Sequence, residues 1–196
     1  GVTERLFRTR ITGGTGFVGS NLVKELITQG HDVLITGFDA EQKIPSFKGK
    51  VLHPSFIGID WSAIGKIDIL FHQAAINNTV LLDENEMMRA NYDSTVELFN
   101  YVIKHGCKKI VYASSTAIYG DAPAPYKENQ KLNPLNPYAV SKIRVEQFAE
   151  KLAKKHKDVT FVGLRYCNVY GPGESHKGTR ASMIYLVAES CITYTA

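Results

Sequence analysis

The sequence predicts an α/β fold built on a doubly wound parallel sheet, followed by the beginning of a small C-terminal substrate domain. Short apolar runs alternate with longer helical stretches, which is typical of βαβ units. The runs 69–71 and 110–112 are apolar without a break, as expected of strands that helices cover on both faces. A glycine-rich turn follows the first run, which favours a Rossmann-type sheet. We expect the dinucleotide-binding domain over residues 1–170 and a truncated start of the substrate-binding region over 171–196.

The apolar runs predict strands near residues 6–11, 32–35, 50–52, 67–72, 109–113 and 160–165. Helices are predicted from Ser20, from about residue 87 to 105, and from Pro137 to about residue 156. The first strand departs from the pattern of a buried central strand. Arg8 and Arg10 alternate with other residues there, where a strand covered on both faces should be apolar.

The glycine-rich turn predicts the site of a dinucleotide pyrophosphate. Gly13 permits the tight turn, Gly16 lets the backbone approach the phosphates, and Gly19 allows close packing of the helix. Phe17 and Val18 lie between these glycines. Backbone amides at a helix N-terminus attract anions, so we expect all five residues to contact the cofactor.

The end of the second predicted strand bears on which dinucleotide binds. Such sites usually place an acidic residue about 20 positions beyond the turn, where its carboxylate binds the adenosine ribose. Here the strand ends at Gly37, followed by Phe38 and Asp39. If Gly37 takes the place of the acid, a 2′-phosphate is not repelled and NADP is expected. If Asp39 turns inward, NAD is favoured. We expect Gly37 and Phe38 to line the cofactor site.

Tyr138 and Lys142 stand four residues apart in the last predicted helix. Residues at this spacing share a helix face, so the phenol and the ammonium can point into one cleft. A cation beside a phenol lowers the pKa of the phenol, and the tyrosine then acts as a general base near neutrality. Ser115 follows an apolar strand and supplies a hydroxyl. A lone Tyr-x-x-x-Lys is weak evidence, but the order of glycine turn, serine and tyrosine–lysine pair predicts a redox enzyme.

Composition argues against several other classes of protein. The net charge of the 196 residues is +4, with lysines scattered along the chain, which argues against a nucleic-acid partner. No apolar run approaches the roughly 20 residues of a membrane span, and we expect no signal peptide. The three cysteines show no metal-ligand spacing. We therefore expect reduced thiols, no metal and a cytoplasmic location.

These residues resemble those of the extended short-chain dehydrogenase/reductase superfamily of nucleotide-sugar epimerases and dehydratases, over nearly the whole chain. Ser115, Tyr138 and Lys142 match its catalytic residues, with Ser115 also binding substrate and Lys142 the nicotinamide ribose. The segment Phe71-His72-Gln73-Ala74-Ala75 resembles the one that passes beneath the nicotinamide half of the cofactor, which implies contacts from its last three residues. Asn91 matches the asparagine that braces the active-site helix, on the cofactor side.

Two further segments extend the resemblance. Residues 164–172 match the stretch that leads into the substrate domain, where the resemblance implies that Asn168 contacts the nucleotide-sugar and Val169 the cofactor. The loop 173–182 is similar to the corresponding loop of ADP-glyceromanno-heptose 6-epimerases. In that family a His-Lys-Gly tract carries a second catalytic lysine, here Lys177, with Thr179 at a substrate-contacting position. One departure is 76–79, which replaces a small, hydroxyl-rich stretch.

The resemblance implies an NAD(P)-dependent isomerase of carbohydrate metabolism, a nucleotide-sugar epimerase that forms a homo-oligomer. It would invert a carbinol centre by transient oxidation to a ketone and re-reduction, with ADP-heptose as substrate. A UDP-sugar 4-epimerase and a non-catalytic dinucleotide-binding sensor remain as alternatives. The intact Ser115, Tyr138 and Lys142 argue against the sensor. A 4,6-dehydratase is disfavoured because Ala117 and Ile118 stand where those enzymes carry an Asp-Glu pair.

Overall fold

A computed structural model gives the fold and describes residues 6–37, 44, 50–53, 61–76 and 83–174. Within these residues, six strands form one sheet in the order β3-β2-β1-β4-β5-β6. Their bounds are β1 Arg8–Thr12, β2 Asp32–Thr36, β3 Lys50–His53, β4 Ile69–His72, β5 Lys109–Ser115 and β6 Thr160–Tyr166. The chain divides into two compact units, Gly1–Arg165 and Tyr166–Ala196, and the sheet belongs to the first apart from Tyr166, the last residue of β6.

Strands β1 to β5 pair in parallel, with β1 between β2 and β4. Thr12 at the end of β1 is in register with His72 at the end of β4, and His72 with Tyr112 of β5. The carboxyl ends of the strands therefore meet at one edge, where open α/β sheets bind their ligands. The strand order reverses on the two sides of β1, so the predicted doubly wound parallel sheet is confirmed.

The helices are α1 Phe17–Thr28, α2 Glu84–Met88, α3 Ser94–Lys104 and α4 Pro137–Lys155, and a π-helical turn, Arg89–Asp93, joins α2 to α3. Two of them begin earlier than predicted. Helix α1 begins directly after the glycine turn, and α2 begins after Asp83, whose side chain accepts a hydrogen bond from the Glu86 amide at 2.8 Å. Helix α4 begins at Pro137 as predicted, because Asn136 caps it by accepting from the Ala139 amide at 2.8 Å.

Two clusters of buried side chains hold the helices on the sheet. Helix α1 supplies Val23 and Leu26 to a cluster with β1 and β2. Helices α3 and α4 share a larger cluster with β4 and β5. Phe99 of α3 is at its centre, fully buried, and its ring meets those of His72, Tyr112, Phe148 and Phe161. This packing places α4, which carries Tyr138 and Lys142, against the end of β5.

The two arginines of β1 have polar partners at the start of the strand. The guanidinium of Arg8 donates to both carboxylate oxygens of Asp68, at 2.9 and 2.7 Å. The guanidinium of Arg10 is almost fully buried and donates to the carbonyl oxygens of Ile64 and Lys66, both at 3.1 Å. It also pairs with Asp32 at 3.3 Å. Arg10 thus satisfies backbone acceptors in the segment that enters β4, which explains a charged residue in a central strand.

The described part of the chain contains no helix long and apolar enough to cross a membrane. Over the same residues, no group of three or more histidine, cysteine or acidic side chains could hold a metal ion. Cys107 is buried and Cys167 is exposed, and both are free thiols.

We expect Arg10→Met to lower the free energy of unfolding by about 2 kcal/mol, because it removes the donor to the buried Ile64 carbonyl oxygen and to the part-buried Lys66 carbonyl oxygen. Lys154→Met is the control. Lys154 pairs with Glu150 at 2.7 Å, but both side chains are about two-thirds exposed, so its loss should change stability by less than about 1 kcal/mol. Urea unfolding of both variants measures the difference. Equal midpoints would show that water replaces the Arg10 guanidinium.

Candidate active site

The glycine turn is packed so closely that side chains cannot fit at several positions. Gly13 has φ +68°, and a Cβ there would lie 2.8 Å from the Ala74 nitrogen, beyond the end of β4. A Cβ on Gly19 would lie 2.1 Å from the Gly13 carbonyl oxygen. The predicted duties of Gly13 and Gly19 therefore agree with their surroundings: the first makes the turn and the second brings α1 against it.

The N-terminus of α1 has the form of an anion site. Its N-cap is Gly16, no side chain caps it, and no acidic residue lies in its first turn. Backbone amides of the first turn, among them those of Val18 and Gly19, have no carbonyl partner within the helix. A helix end with a positive dipole and no competing side chain fits a pyrophosphate. The residues present therefore fit the phosphates of a dinucleotide.

Gly37 directly follows β2 and is described, whereas the next two residues, Phe38 and Asp39, lie outside the described residues. A Cβ on Gly37 would lie 2.2 Å from Thr15 Oγ1, so the packing of Thr15 requires glycine here. Close packing against Thr15 therefore explains why glycine, and not an acidic residue, stands at position 37.

Ser115, Tyr138 and Lys142 come together at the carboxyl edge of the sheet. Ser115 is the last residue of β5, and its hydroxyl lies close enough to the Tyr138 phenol to favour the phenolate. Lys142 lies one turn further along α4 and is only 4% exposed. Its ammonium donates to the Ala113 carbonyl oxygen at 2.8 Å and lies 5.6 Å from the centre of the Tyr138 ring. The structure thus assembles the predicted tyrosine, lysine and serine in one place.

The protonation of this group differs from the sequence-based expectation. Burial raises the pKa of the Tyr138 phenol above its usual value, and the hydrogen bond with Ser115 opposes that rise. Burial lowers the pKa of Lys142 to about 8, and the charge of Glu146 opposes that fall. The expectation that Lys142 makes Tyr138 more acidic is therefore wrong for the structure described. The ammonium is directed to the Ala113 carbonyl, and desolvation of the phenol has the larger effect.

An ion pair that the sequence analysis missed stands next to Lys142. Glu146, one turn further along α4, receives two hydrogen bonds from the Arg165 guanidinium, at 3.0 and 2.7 Å. It also accepts one from Ser114 at 2.5 Å. Arg165 in turn donates to the Tyr119 hydroxyl at 2.8 Å. The spacing of Tyr138, Lys142 and Glu146, four residues each, was the signal that could have placed the three side chains on one helix face.

A second missed residue, His72, is buried at the end of β4. Its Nδ1 lies 2.6 Å from Thr12 Oγ1, and its Nε2 lies 2.8 Å from Thr95 Oγ1. Thr95 donates its hydroxyl proton to the Asn91 carbonyl at 2.7 Å, so Nε2 must be the donor to Thr95. In a neutral ring Nδ1 then accepts from Thr12. In agreement, burial and the charge of Lys142 lower the pKa of His72 to about 3.

Asn91 lies in the π-helical turn and is buried. Its side chain exchanges two hydrogen bonds with the backbone of Ile76, both at 2.8 Å, and donates to Ser141 Oγ of α4 at 3.3 Å. A π-helical turn often marks a functional position, and here it directs Asn91 between the segment after β4 and helix α4. This geometry agrees with the predicted bracing role.

The remaining predicted residues divide into three groups. Gln73, Ala74 and Ala75 follow β4 and are partly exposed, and the amides of the first two donate to Thr12, at 3.1 and 3.2 Å. Asn168 and Val169 belong to the second unit. Lys177 and Thr179, like Phe38, lie outside the described residues.

Comparison with known proteins gives consistent matches. The model of the NAD dependent epimerase/dehydratase family matches residues 10–193. The ADP-L-glycero-D-manno-heptose-6-epimerase of Brachyspira hyodysenteriae is 34% identical over 187 residues, which cover 89% of this chain and 58% of that protein. The crystal structure of the Helicobacter pylori enzyme of the same name is 31% identical, with a TM-score of 0.84, over 97% of this chain and 64% of that one.

A third similar protein acts on a different sugar nucleotide. The UDP-N-acetylglucosamine 4-epimerase of Methanobrevibacter ruminantium M1, solved in complex with UDP-N-acetylmuramic acid, is 27% identical with a TM-score of 0.82. The match covers 92% of this chain and 61% of that one. The chain therefore spans about three-fifths of the length of these relatives.

The buried His72 predicts a loss of stability in acid. Its folded pKa of about 3 lies below the unfolded value near 6.5, so protonation favours the unfolded state. The stability that it contributes is present above pH 6.5 and declines as the pH falls towards 3. Between pH 6.5 and 4.5 we expect a loss of about 2 kcal/mol in wild type that is absent in His72→Gln. Urea unfolding at both pH values checks this, and parallel losses in the two proteins would contradict it.

Proposed function

The chain belongs to the NAD dependent epimerase/dehydratase family, and from this premise we propose that it is the cofactor-binding part of a nucleotide-sugar epimerase. The observation that carries the proposal is the grouping of Ser115, Tyr138 and the buried Lys142 at the sheet edge that also holds the glycine turn. A sensor has no need of this group. Similarity to two ADP-L-glycero-D-manno-heptose-6-epimerases supports an ADP-heptose as substrate and carbon 6 as the inverted centre.

The proposed chemistry assigns a proton task to each side chain. The bound dinucleotide supplies the acceptor and donor of a hydride. In its phenolate form, Tyr138 Oη would take the proton of the substrate hydroxyl while Ser115 Oγ hydrogen-bonds the same oxygen. Return of a hydride to the other face of the resulting planar ketone inverts the centre.

Lys142 has two tasks in this scheme. An ammonium has three N–H donors, and one of them is bound to Ala113, so others can hold ribose hydroxyls. With a pKa of about 8, the side chain is mostly protonated at neutral pH. In the structure described its ammonium is directed to Ala113, 5.6 Å from the centre of the Tyr138 ring, so it would stabilise the phenolate only after it turns towards the phenol oxygen.

A UDP-sugar 4-epimerase is the second candidate, supported by the similarity to the Methanobrevibacter enzyme. Both candidates use the same oxidation and re-reduction and differ in the nucleotide and the carbon that is inverted. We also propose that the protein forms a homo-oligomer and that it is cytoplasmic. The free thiols of Cys107 and Cys167 support the second proposal, because thiols stay reduced in the cytoplasm.

The full-length protein should epimerise an ADP-heptose faster than UDP-glucose or UDP-N-acetylglucosamine, followed by the anomeric proton signals. Tyr138→Phe should lower the rate by roughly 10²–10⁴ and leave dinucleotide affinity nearly unchanged, because it removes only the proton-transferring oxygen. Lys142→Met should lower both the epimerisation rate and the affinity for the dinucleotide. Tyr101→Phe, in α3 and stacked on His105, is the matched control. Turnover of a UDP-sugar alone would select the second candidate, and binding without any turnover would select the sensor.

NADP should bind more tightly than NAD, because no carboxylate at Gly37 repels a 2′-phosphate. The matching family is described as NAD dependent, and the proposed preference for NADP rests on this strand end alone. Calorimetric titration of both dinucleotides tests it, with Asp39→Ala as the informative variant. The ratio of the two affinities should not change in that variant. Tighter NAD binding that Asp39→Ala abolishes would assign the ribose contact to Asp39.

We also propose Lys177 as the second proton-transferring group. A hydride reaches the other face of the ketone only after the ketone turns in the site, and its oxygen then needs a proton donor at its new position, away from Tyr138 on helix α4. Lys177→Met in the full-length protein should lower the epimerisation rate by roughly 10²–10⁴. His176→Ala is the comparison, since its side chain is the neighbouring titratable group. Inactivity of His176→Ala with normal rates in Lys177→Met would give the role to the histidine.

A further inference from the structure

A continuous line of hydrogen bonds crosses the interior of the first unit. It begins at Thr12, the residue before the glycine turn, whose hydroxyl also accepts from the Ala74 amide at 3.2 Å. His72 is hydrogen-bonded to Thr12 through Nδ1 and to Thr95 through Nε2, and Thr95 donates to the Asn91 carbonyl oxygen. Thr95 gives its only hydroxyl proton to the Asn91 carbonyl oxygen, so Thr95 must accept from His72 Nε2, and in a neutral ring His72 Nδ1 accepts from Thr12.

The second half reaches the helix of Tyr138. The Asn91 amide nitrogen donates to the Ile76 carbonyl oxygen at 2.8 Å and shares its other proton between the Met87 sulfur at 3.0 Å and Ser141 Oγ at 3.3 Å. Ser141 donates to the Tyr138 carbonyl oxygen at 2.7 Å. Ser141 lies directly before Lys142 in the sequence. The five side chains of the line are all nearly inaccessible, with exposures between 0 and 4%. A buried network of this kind is costly to break at any point, since each lost partner costs roughly 1–3 kcal/mol.

From this line we propose that His72 is a positioning residue that couples dinucleotide binding at the glycine turn to the placement of Tyr138. Its two ring nitrogens join Thr12, next to the turn, to the network that ends at the backbone of Tyr138. A shift of the turn therefore changes the hydrogen bonds that hold α4, and a shift of α4 changes the turn. The proposal rests on the proposed function for the identity of the glycine turn as the dinucleotide site.

The test measures the affinity of the full-length protein for NADP and NAD by calorimetry. Ser141→Ala and Thr12→Val should each weaken binding about fivefold, the equivalent of one buried hydrogen bond. The double variant should lose little more than either single variant, because both changes interrupt the same line. Ser94→Ala is the matched control. Its hydroxyl bonds to the Arg89 carbonyl in the same π-helical region but lies outside the line, so it should leave affinity unchanged.

Substitution of His72 separates coupling from a general loss of structure. Gln carries one acceptor and one donor at its end and should retain most of the affinity, whereas His72→Leu should lose about fivefold or more. A Ser141→Ala variant with wild-type affinity, or fully multiplicative losses in the double variant, would overturn the coupling. Failure of the wild-type protein to bind either dinucleotide would instead overturn the proposed function. The two failures are therefore distinguishable.

Discussion

The burial of Lys142 is the constraint on which the arrangement of the site depends. An ammonium removed from water costs several kcal/mol unless other groups compensate, and this one is only 4% exposed. The Ala113 carbonyl provides one hydrogen bond, and Glu146 provides the opposing charge. Glu146 is itself partly buried and is held by Arg165 and Ser114. The hydrogen bond from this buried cation to Ala113 adds a polar link between α4 and β5 to the packing around Phe99, and together they place Tyr138 beside Ser115.

The two shifted pKa values bear on which half of the proposed reaction this structure suits. The phenol of Tyr138 is a weaker acid than usual, and the ammonium of Lys142 is a stronger one. At neutral pH the phenol therefore keeps its proton and can give it to a ketone oxygen. Removal of a proton from a substrate hydroxyl requires further positive charge or a reoriented Lys142. Opposite shifts of neighbouring groups are the usual means by which one site performs both acid and base steps.

The sequence allowed the prediction of local features and of the residue types at the site. Glycine spacing, apolar runs and the Tyr-x-x-x-Lys pair depend on neighbouring residues, so the turn, the strands and α4 were predicted closely. The polar network was missed because it joins residues distant in sequence. Thr12 and His72 stand 60 residues apart, and Arg10 and Ile64 stand 54 apart. These contacts require the parallel register of β1 with β4, which no local pattern reveals. The pKa of Tyr138 was wrong in direction because burial is a property of the folded chain.

The residues that we propose for the chemistry are distinct from those that we expect to select the substrate. Every side chain argued to move or hold a proton, apart from Lys177, lies in the first unit. Relatives named for an ADP-sugar and for a UDP-sugar match more than nine-tenths of the same chain with TM-scores above 0.8. A scaffold shared so widely cannot by itself distinguish their substrates. We therefore expect the nucleotide and the sugar to be selected by residues after Arg165, while the network around Lys142 and His72 fixes the reaction that they undergo.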